Sequence, residues 1–423
     1  MAESALDRQA VLWLIECGRE LLREWGPATA GSMALPSAWQ GKLETWQQHL
    51  LLQQQQLRWR SRNRFPQPEL WLWTERSLSQ ASDYGSAHFK AGLFPGGQRV
   101  VDVCCGAGAD LVALARRGEV CGMDGDPQLT ALAADNARAH GCPAELATSL
   151  IDSSWQPTAD WLSIDPDRRP AGNRTTRGDA FSPPLSLVWE LARRCRGAVI
   201  KLAPATEIPP ALLPLIVANS QRVWLGNQGE CRQQLLLTGE LSGELGRRKA
   251  VLCEPQQLAA AAEQDSPASC RWLTGSHVPE FSGAPEPSGA VVECPQRYLY
   301  DVHSVLHAAE LHDTWANQQQ LAALSSQHAY YTADHLVTSA WAQAFEVLEV
   351  LPWDDRQLRK WLRKAGVGAV EVKSRGVPAG SVDANACQRR YSAPDGWPLT
   401  LLVTRIGSRI RGIAARRVPS SNS

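Results

Sequence analysis

Hydrophobic and polar residues alternate in short blocks through the middle of the chain. Short apolar runs are typical of buried strands, and longer amphipathic runs are typical of helices. These runs predict strands at Arg99–Cys104, Glu119–Met123, Ala144–Ala147, Asp160–Ile164 and Gly197–Leu202, a late antiparallel strand at Gln233–Thr238, and helices at Asp110–Arg117, Pro127–His140 and Leu185–Arg194. Strands that alternate with helices predict an α/β fold with a Rossmann-like, mostly parallel sheet.

The two flanks of this region follow different patterns. Val11, Leu14 and Leu22 share one helical face, and the glutamine-rich segment Gln47–Gln56 predicts a second helix with a polar face. Towards the carboxyl end the pattern predicts a helix at Val302–Leu311, a helix capped by Asp354 or Asp355 that runs to Lys364, strands at Phe345–Val350 and Val370–Val372, and a terminal hairpin of Leu401–Thr404 and Ile410–Ala415.

These patterns divide the chain into four parts. We predict a helical region at 1–95, an α/β domain at 96–255, a linker rich in Ala, Ser and Pro at 256–290, and a smaller α+β domain at 291–423. The length of 423 residues also favours more than one domain, since a single core rarely grows beyond ~250–300 residues.

Charge is distributed unevenly along a neutral chain. Lys+Arg and Asp+Glu both number 43, yet residues 356–423 hold fourteen Lys or Arg against three acids. Such asymmetry favours contact with a polyanion. The 11 cysteines are scattered without a C-x-x-C pair, which indicates reduced thiols in a cytoplasmic protein and no metal site. Neither a secretory signal nor a membrane helix is apparent, so we expect a soluble protein.

Candidate chemistry begins where the first predicted strand ends. Asp102-x-x-x-Gly106-x-Gly108 lets the backbone turn tightly before a helix N-terminus, as nucleoside-binding turns do. A dinucleotide site prefers G-x-G-x-x-G, but here the third glycine would fall at Leu111. The Asp102 carboxylate would repel a pyrophosphate, whereas it would hold an ammonium group. The turn therefore favours S-adenosylmethionine, which carries an ammonium and a sulfonium.

Three further residues complete the predicted cofactor site. Asp124 ends the second strand and is expected to accept hydrogen bonds from both ribose hydroxyls. Asp152 follows the third strand and is a candidate for the adenine amino group. Cys104 stands in the turn where glycine is most common, and a small side chain is tolerable there.

The fourth and fifth strands end in candidate catalytic residues. Asp165-Pro-Asp-Arg-Arg169 follows the fourth strand, and Asp165 is either a catalytic group or a helix cap. Arg168 and Arg169 suit phosphate or carboxylate contacts, or else lie in a solvated loop. Lys201 ends the fifth strand, and with a carboxylate beside it forms either a catalytic pair or a structural ion pair.

The cofactor motif resembles the class I S-adenosylmethionine-dependent methyltransferases over residues 75–255. More narrowly, the segments at 102–110, 165–169, 344–351 and 371–376 look like those of bacterial methyltransferases with a THUMP-like carboxy-terminal domain. The resemblance implies a transferase that carries out methylation. Because true THUMP domains belong to RNA-modifying enzymes, it also implies an RNA substrate and a role in RNA modification.

The sequence is compatible with several kinds of methyl acceptor. Many amino methyltransferases of this class carry an aromatic residue where this chain has Arg168, and that ring stacks on a flipped base. The pairing of Asp165 with Lys201 also resembles ribose 2′-O-methyltransferases. A methyltransferase for a small molecule or a protein, and a non-catalytic cofactor-binding scaffold, are the other hypotheses.

A second basic run lies in the helical region. Arg58–Arg64 alternates arginine with other residues, and Trp71 and Trp73 follow, which is a composition typical of single-stranded nucleic-acid binding. Alternate residues do not share a helix face. We therefore favour a solvated charge run, and we expect the tryptophans to be core residues.

Overall fold

The computed structural model describes residues 8–27, 34–39, 41–168, 175–227, 229–253, 278–325 and 329–419. The chain forms two compact units, Met1–Phe281 and Ser282–Ser423. Most of the predicted linker falls on residues 254–277, which lie outside the described residues. The finer division into four parts stays a prediction.

The first unit combines a helical amino-terminal region with an α/β sheet. Its helices are α1 (Arg8–Trp13), α2 (Arg19–Trp25), α3 (Thr45–Ser61), α4 (Glu75–Gln80), α5 (Tyr84–Leu93), α6 (Ala109–Ala115), α7 (Pro127–Ala139), α8 (Leu185–Ala192) and α9 (Leu213–Asn219). Its strands are β1 (Val100–Val103), β2 (Val120–Asp124), β3 (Glu145–Thr148), β4 (Trp161–Ile164), β5 (Gly197–Leu202), β6 (Ser220–Asn227), β7 (Glu230–Gly239), β8 (Arg248–Leu252) and β9 (Glu280–Gly283), the last of which ends just beyond the unit boundary.

These strands form one sheet in the order β3-β2-β1-β4-β5-β7-β6-β8-β9. β1 pairs in parallel with β2 and β4, and β4 pairs in parallel with β5. β7 lies antiparallel between β5 and β6. The predicted Rossmann-like, mostly parallel sheet is confirmed, including its late antiparallel strand. Because the chain runs from β1 outwards to β3 and then returns to β4 on the other side of β1, a crevice forms at the carboxyl ends of β1 and β4.

Helices cover both faces of this sheet. α6 and α7 pack on one face through residues such as Leu111 and Ala133, and α8 and α9 pack on the other through Leu185 and Ile216. All residues of β1 and β5 are buried. A strand covered on both faces is apolar throughout rather than alternating, which is why short apolar runs predicted these strands.

The glutamine-rich helix α3 differs from the expected polar face. Gln54 is buried, donates to the Trp73 carbonyl at 2.7 Å and accepts from the Trp73 N–H at 3.0 Å. Arg58 is buried as well and donates to the Trp71 carbonyl at 3.1 Å, and burial lowers the pKa of its guanidinium to about 9. Trp71 and Trp73 stack inside the core with ring centroids 4.8 Å apart. The first arginine of the basic run is thus neither solvated nor exposed to nucleic acid.

The second unit is an α+β domain, as predicted. Its helices are α10 (Ser304–Ala308), α11 (His312–Gln318), α12 (Asp355–Lys364) and α13 (Ala384–Tyr391), and its strands are β10 (Val291–Val292), β11 (Tyr298–Val302), β12 (Ala322–Leu324), β13 (Tyr330–Ala333), β14 (Ala342–Pro352), β15 (Val367–Ser374), β16 (Trp397–Ile406) and β17 (Arg409–Arg417). They form one sheet in the order β10-β12-β13-β11-β14-β17-β16-β15.

Two sequence predictions for this unit have different outcomes. The terminal hairpin is confirmed, since β16 and β17 pair in antiparallel fashion. The helix predicted from Val302 is wrong at its start, because Val302 is buried and pairs with Ala342 as the last residue of β11. Among the described residues of both units, no helix is long and apolar enough to cross a membrane.

Candidate active site

A cavity of about 700 Å³ opens at the carboxyl ends of β1, β2, β4 and β5. The predicted site residues that line it are Asp102, Cys104, Gly106, Asp124, Asp165, Arg168 and Lys201. Gly108 and Asp152 are not part of the lining, and Arg169 lies outside the described residues. Residues 74–77 and 80–82 of the helical region form a further wall, which sequence reasoning did not anticipate.

The turn between β1 and α6 is built on left-handed backbone conformations. Cys104, Gly106 and Gly108 have φ angles of 59°, 57° and 91°, which are uncommon for a residue with a Cβ. A Cβ on Gly108 would lie 3.2 Å from the Cα of Ala133 in α7. Gly108 therefore allows α6 to begin close against α7, and it shapes the cavity through the backbone rather than by lining it.

Asp124, the last residue of β2, holds this turn in place. Its Oδ2 accepts from the Gly106 N–H at 2.9 Å, and its Oδ1 accepts from the Asp126 N–H at 3.0 Å. Burial raises the pKa of Asp124, while these two hydrogen bonds act in the opposite direction. Because each carboxylate oxygen has two lone pairs, both oxygens can still accept from hydroxyl groups of a ligand in the cavity.

Asp102 lies in β1 at the inner end of the cavity and is only 2% exposed. Its Oδ2 has no hydrogen-bond partner among the described residues. Burial, followed by the nearby Asp110, raises the pKa of Asp102 to about 8, and the hydrogen bond with Ser163 opposes this rise. An unpaired, buried carboxylate oxygen favours a cationic ligand group at this point.

The cavity lining also holds an ion pair between Asp165, just after β4, and Lys201, near the end of β5. Lys201 is buried, and its Nζ also donates to the Gln80 carbonyl at 3.2 Å. Asp167 forms an ion pair with Arg76 at 2.6 Å and accepts from Gln80 Nε2 at 2.9 Å. Helix α4 therefore contacts Lys201 of β5 and Asp167 of the loop after β4, and it connects the ends of these two strands.

Asp152 lies outside the cavity lining in an exposed turn. Its Oδ1 accepts from the hydroxyl and the N–H of Ser154 at 2.6 and 2.8 Å, and these bonds lower its pKa. Nearby, the cavity wall is apolar and is formed by Leu129, Leu150 and Ile151. Leu150 is 80% exposed. Apolar side chains around an open cavity suit a flat aromatic ring. Leu150 lies in a loop, so no periodic pattern in the sequence could identify it as a site residue.

Comparisons with known proteins agree with this geometry. Residues 342–417 match the family described as THUMP domain-like. Proteins of two Mycobacterium tuberculosis strains, each named as an uncharacterised S-adenosylmethionine-dependent methyltransferase, are 29% identical over 348 residues, which is 80% of this chain and 86% of theirs. The chain is an S-adenosylmethionine-dependent methyltransferase with a THUMP-like carboxy-terminal domain.

Two further proteins are similar to this chain, one in its fold and one in part of its sequence. A crystal structure from Porphyromonas gingivalis W83, described as a candidate methyltransferase, superposes on this methyltransferase with a TM-score of 0.68 at 18% identity, covering 98% of this chain and 99% of that chain. A Shewanella amazonensis protein named as a 23S rRNA (uracil(1939)-C(5))-methyltransferase is 37% identical over 79 residues, 17% of this chain and 18% of that protein.

The cavity of this methyltransferase fits the chemistry of its cofactor. Asp102 offers an unpaired acceptor for an ammonium group, Asp124 has acceptor capacity for hydroxyl groups, and the wall around Leu150 offers an apolar surface. Among the described residues, no group of His, Cys, Asp and Glu side chains is arranged to hold a metal ion.

Sequence reasoning missed a buried polar network beside Asp102. Lys90 of α5 forms an ion pair with Asp110 and donates to the Ser82 hydroxyl at 2.8 Å, and that hydroxyl donates to Asp110 at 3.0 Å. Asp110 stands within the glycine motif, but Lys90 and Ser82 come from the helical region. A single lysine in an amphipathic helix resembles a surface residue, so only the fold reveals its burial.

Proposed function

We propose that this methyltransferase modifies RNA in the cytoplasm, and that its carboxy-terminal domain aids substrate binding. The observation that carries the proposal is the occurrence, in one chain, of a cofactor cavity and a domain that matches the THUMP-like family. The sequence similarity to a Shewanella protein named as an rRNA methyltransferase supports the same class of substrate.

The second unit offers basic groups for the phosphates of an RNA. Arg359, Lys360 and Arg363 are exposed on α12, and Arg390 is exposed on α13. Asp355 contacts both helices, with its carboxylate 3.1 Å from Arg359 Nε and 3.5 Å from Arg390 Nη1. The two basic helices therefore meet at one point, and we name these exposed arginines and lysine the α12–α13 basic surface. Contacts to phosphate position a nucleic acid without reading its sequence.

For the cofactor, we assign roles to residues in the cavity lining and to one residue beside it. Asp102 accepts hydrogen bonds from the ammonium group, and Asp124 accepts from the two ribose hydroxyls. Gly106 and Cys104 shape the backbone against the ligand. Asp152 remains the candidate for the adenine amino group, a role that requires its carboxylate to turn away from Ser154. The bound cofactor supplies a methyl group on a sulfonium.

We assign Asp165, Lys201 and Arg168 to the part of the cavity that receives the methyl acceptor. Methyl transfer is an in-line displacement, so the protein must align the attacking atom and take up a proton. Asp165 follows β4, and its carboxylate forms an ion pair with Lys201. We propose that this carboxylate takes up the proton that the acceptor loses. Arg168 lines the same cavity and provides a guanidinium for a phosphate next to the acceptor.

A second candidate is methylation of a ribose hydroxyl rather than of a base. No Phe, Tyr or Trp side chain is among the described residues that line the cavity, and the sequence of residues 169–174 contains none. A flipped base would therefore lack the aromatic partner that commonly stacks on it. The ammonium of Lys201 beside Asp165 would instead stabilise the negative charge that develops on an oxygen as it loses its proton.

The proposal is tested by mass spectrometry of nucleosides from a strain that lacks this protein. We expect one methylated nucleoside to disappear, and to return with the wild-type chain but not with Asp165→Asn. Asp179→Asn, an exposed acid outside the cavity lining, is the matched control and should restore it. A 2′-O-methylated product would favour the second candidate, and a base-methylated product would exclude it. An unchanged nucleoside profile would refute RNA as the substrate.

A further inference from the structure

The inner end of the cavity contains two carboxylates, although the cofactor assignment uses only one. Asp102 belongs to β1, and Asp110 lies in the first turn of α6. Both residues line the cavity. Asp102 Oδ2 and Asp110 Oδ1 are both buried, and within the described part of the chain neither has a hydrogen-bond partner. Two buried acceptors without donors at one end of a ligand cavity indicate that a ligand supplies the donors.

The other carboxylate oxygen of Asp110, Oδ2, is bound by donors from the helical region. Lys90 Nζ and the Ser82 hydroxyl both donate to Asp110 Oδ2. Lys90 is only 3% exposed and is not part of the cavity lining. It therefore cannot serve as a surface cation, and its contacts orient the Asp110 carboxylate so that Oδ1 is left for a ligand.

The charges at this end of the cavity match one ammonium group. When both acids are ionised, Asp102, Asp110 and Lys90 together carry a single negative charge. Burial acts to raise the pKa of Asp110, but Lys90 and Lys201 outweigh it, so that pKa is lowered and Asp110 keeps its charge. One ammonium group placed between the two acids would neutralise the cluster and satisfy both unpaired oxygens.

We propose that Asp110 is a second carboxylate ligand for the α-ammonium group of the cofactor, and that Lys90 and Ser82 are positioning residues that hold it. This inference rests on the cofactor and not on the RNA substrate, so it stands or falls separately from the proposed substrate. It also gives the helical region a role, because Lys90 and Ser82 both belong to that part of the chain.

The test measures binding of three ligands by calorimetry without RNA. The first is S-adenosylhomocysteine, the second is its analogue with hydrogen in place of the α-amino group, and the third is methylthioadenosine, which lacks the whole amino-acid part. The main variant is Lys90→Met/Asp110→Asn, which removes the buried ion pair as a whole and leaves no unpaired buried charge. Lys249→Met/Glu280→Gln, which removes an ion pair outside the cavity lining, is the control.

We expect the main variant to bind S-adenosylhomocysteine about tenfold more weakly or worse, since it loses a charged hydrogen bond. Binding of the other two ligands should change by less than about twofold, and the control should leave all three unchanged. Equal weakening of all three ligands would overturn the proposal, because it would show a structural role. Equal weakening of S-adenosylhomocysteine and its deamino analogue, or no weakening at all, would overturn it as well.

Ser82→Ala provides the same test if the main variant does not fold. It keeps the Lys90–Asp110 ion pair and removes one donor to Asp110, so it should weaken S-adenosylhomocysteine selectively and by less than the main variant. A loss that is equal for all three ligands, or no loss, would again contradict the proposal. Failure of the wild-type protein to bind any of the three would instead contradict the cofactor assignment.

Discussion

If Asp102 accepts hydrogen bonds from the cofactor's ammonium group, as we propose, a proton competes with that group for the same oxygen. The side chain is buried next to Asp110, and these two influences keep its pKa near 8 in the cofactor-free protein. The other charged groups that face it are Lys90 and Asp165. At neutral pH the carboxyl therefore carries a proton for most of the time, and it must lose that proton before it can accept hydrogen bonds from an ammonium group.

Cofactor binding should consequently depend on pH. Below about pH 8, S-adenosylhomocysteine affinity should fall by up to about tenfold for each unit of pH, because more of Asp102 is protonated. At higher pH affinity should fall again, once the α-ammonium group of the ligand has lost its own proton and with it its positive charge. Calorimetry across this range checks both limbs. Asp102→Asn should bind weakly throughout and lose the lower limb, and a wild-type affinity that is constant between pH 6 and 8 would contradict the assignment.

At the scale of elements, the strands that carry the site could be predicted and the helices that complete it could not. β1, β2, β4 and β5 are mostly apolar, so their ends and the residues just after them could be located from the sequence alone. The wall formed by α4 and the network of Lys90 could not, because polar residues in short helices give no sign of burial. The role of Gly108 is a mixed case, since the motif identified it and the packing against α7 explains it.

Helix α3 shows the same limit, and it can be tested. Gln54→Ala would leave both the N–H and the carbonyl of Trp73 without partners inside the core. Each unpaired buried group costs about 1–3 kcal/mol, so the free energy of unfolding should fall by at least about 2 kcal/mol. Gln56→Ala on the exposed side of the same helix should change it by less than about 0.5 kcal/mol. Chemical denaturation measures both, and equal effects would show that the Gln54 amide does not support the fold.

At the scale of the whole molecule, a net charge of zero conceals a strongly basic carboxy-terminal region. If the α12–α13 basic surface binds phosphates, RNA affinity must fall as salt rises, because bound counterions are released on binding. Lys360→Glu/Arg363→Glu should weaken RNA binding at low salt and make the logarithmic salt dependence shallower by about one for each lost contact.

Arg193→Glu, an exposed arginine of the first unit, is the control and should bind RNA as the wild type does. Fluorescence anisotropy with a labelled RNA over a salt series measures the slope directly. A wild-type affinity that does not change with salt would exclude phosphate contacts and, with them, RNA docking on this surface. S-adenosylhomocysteine binding should be unchanged in the double variant, because the cofactor cavity is built entirely from residues of the first unit.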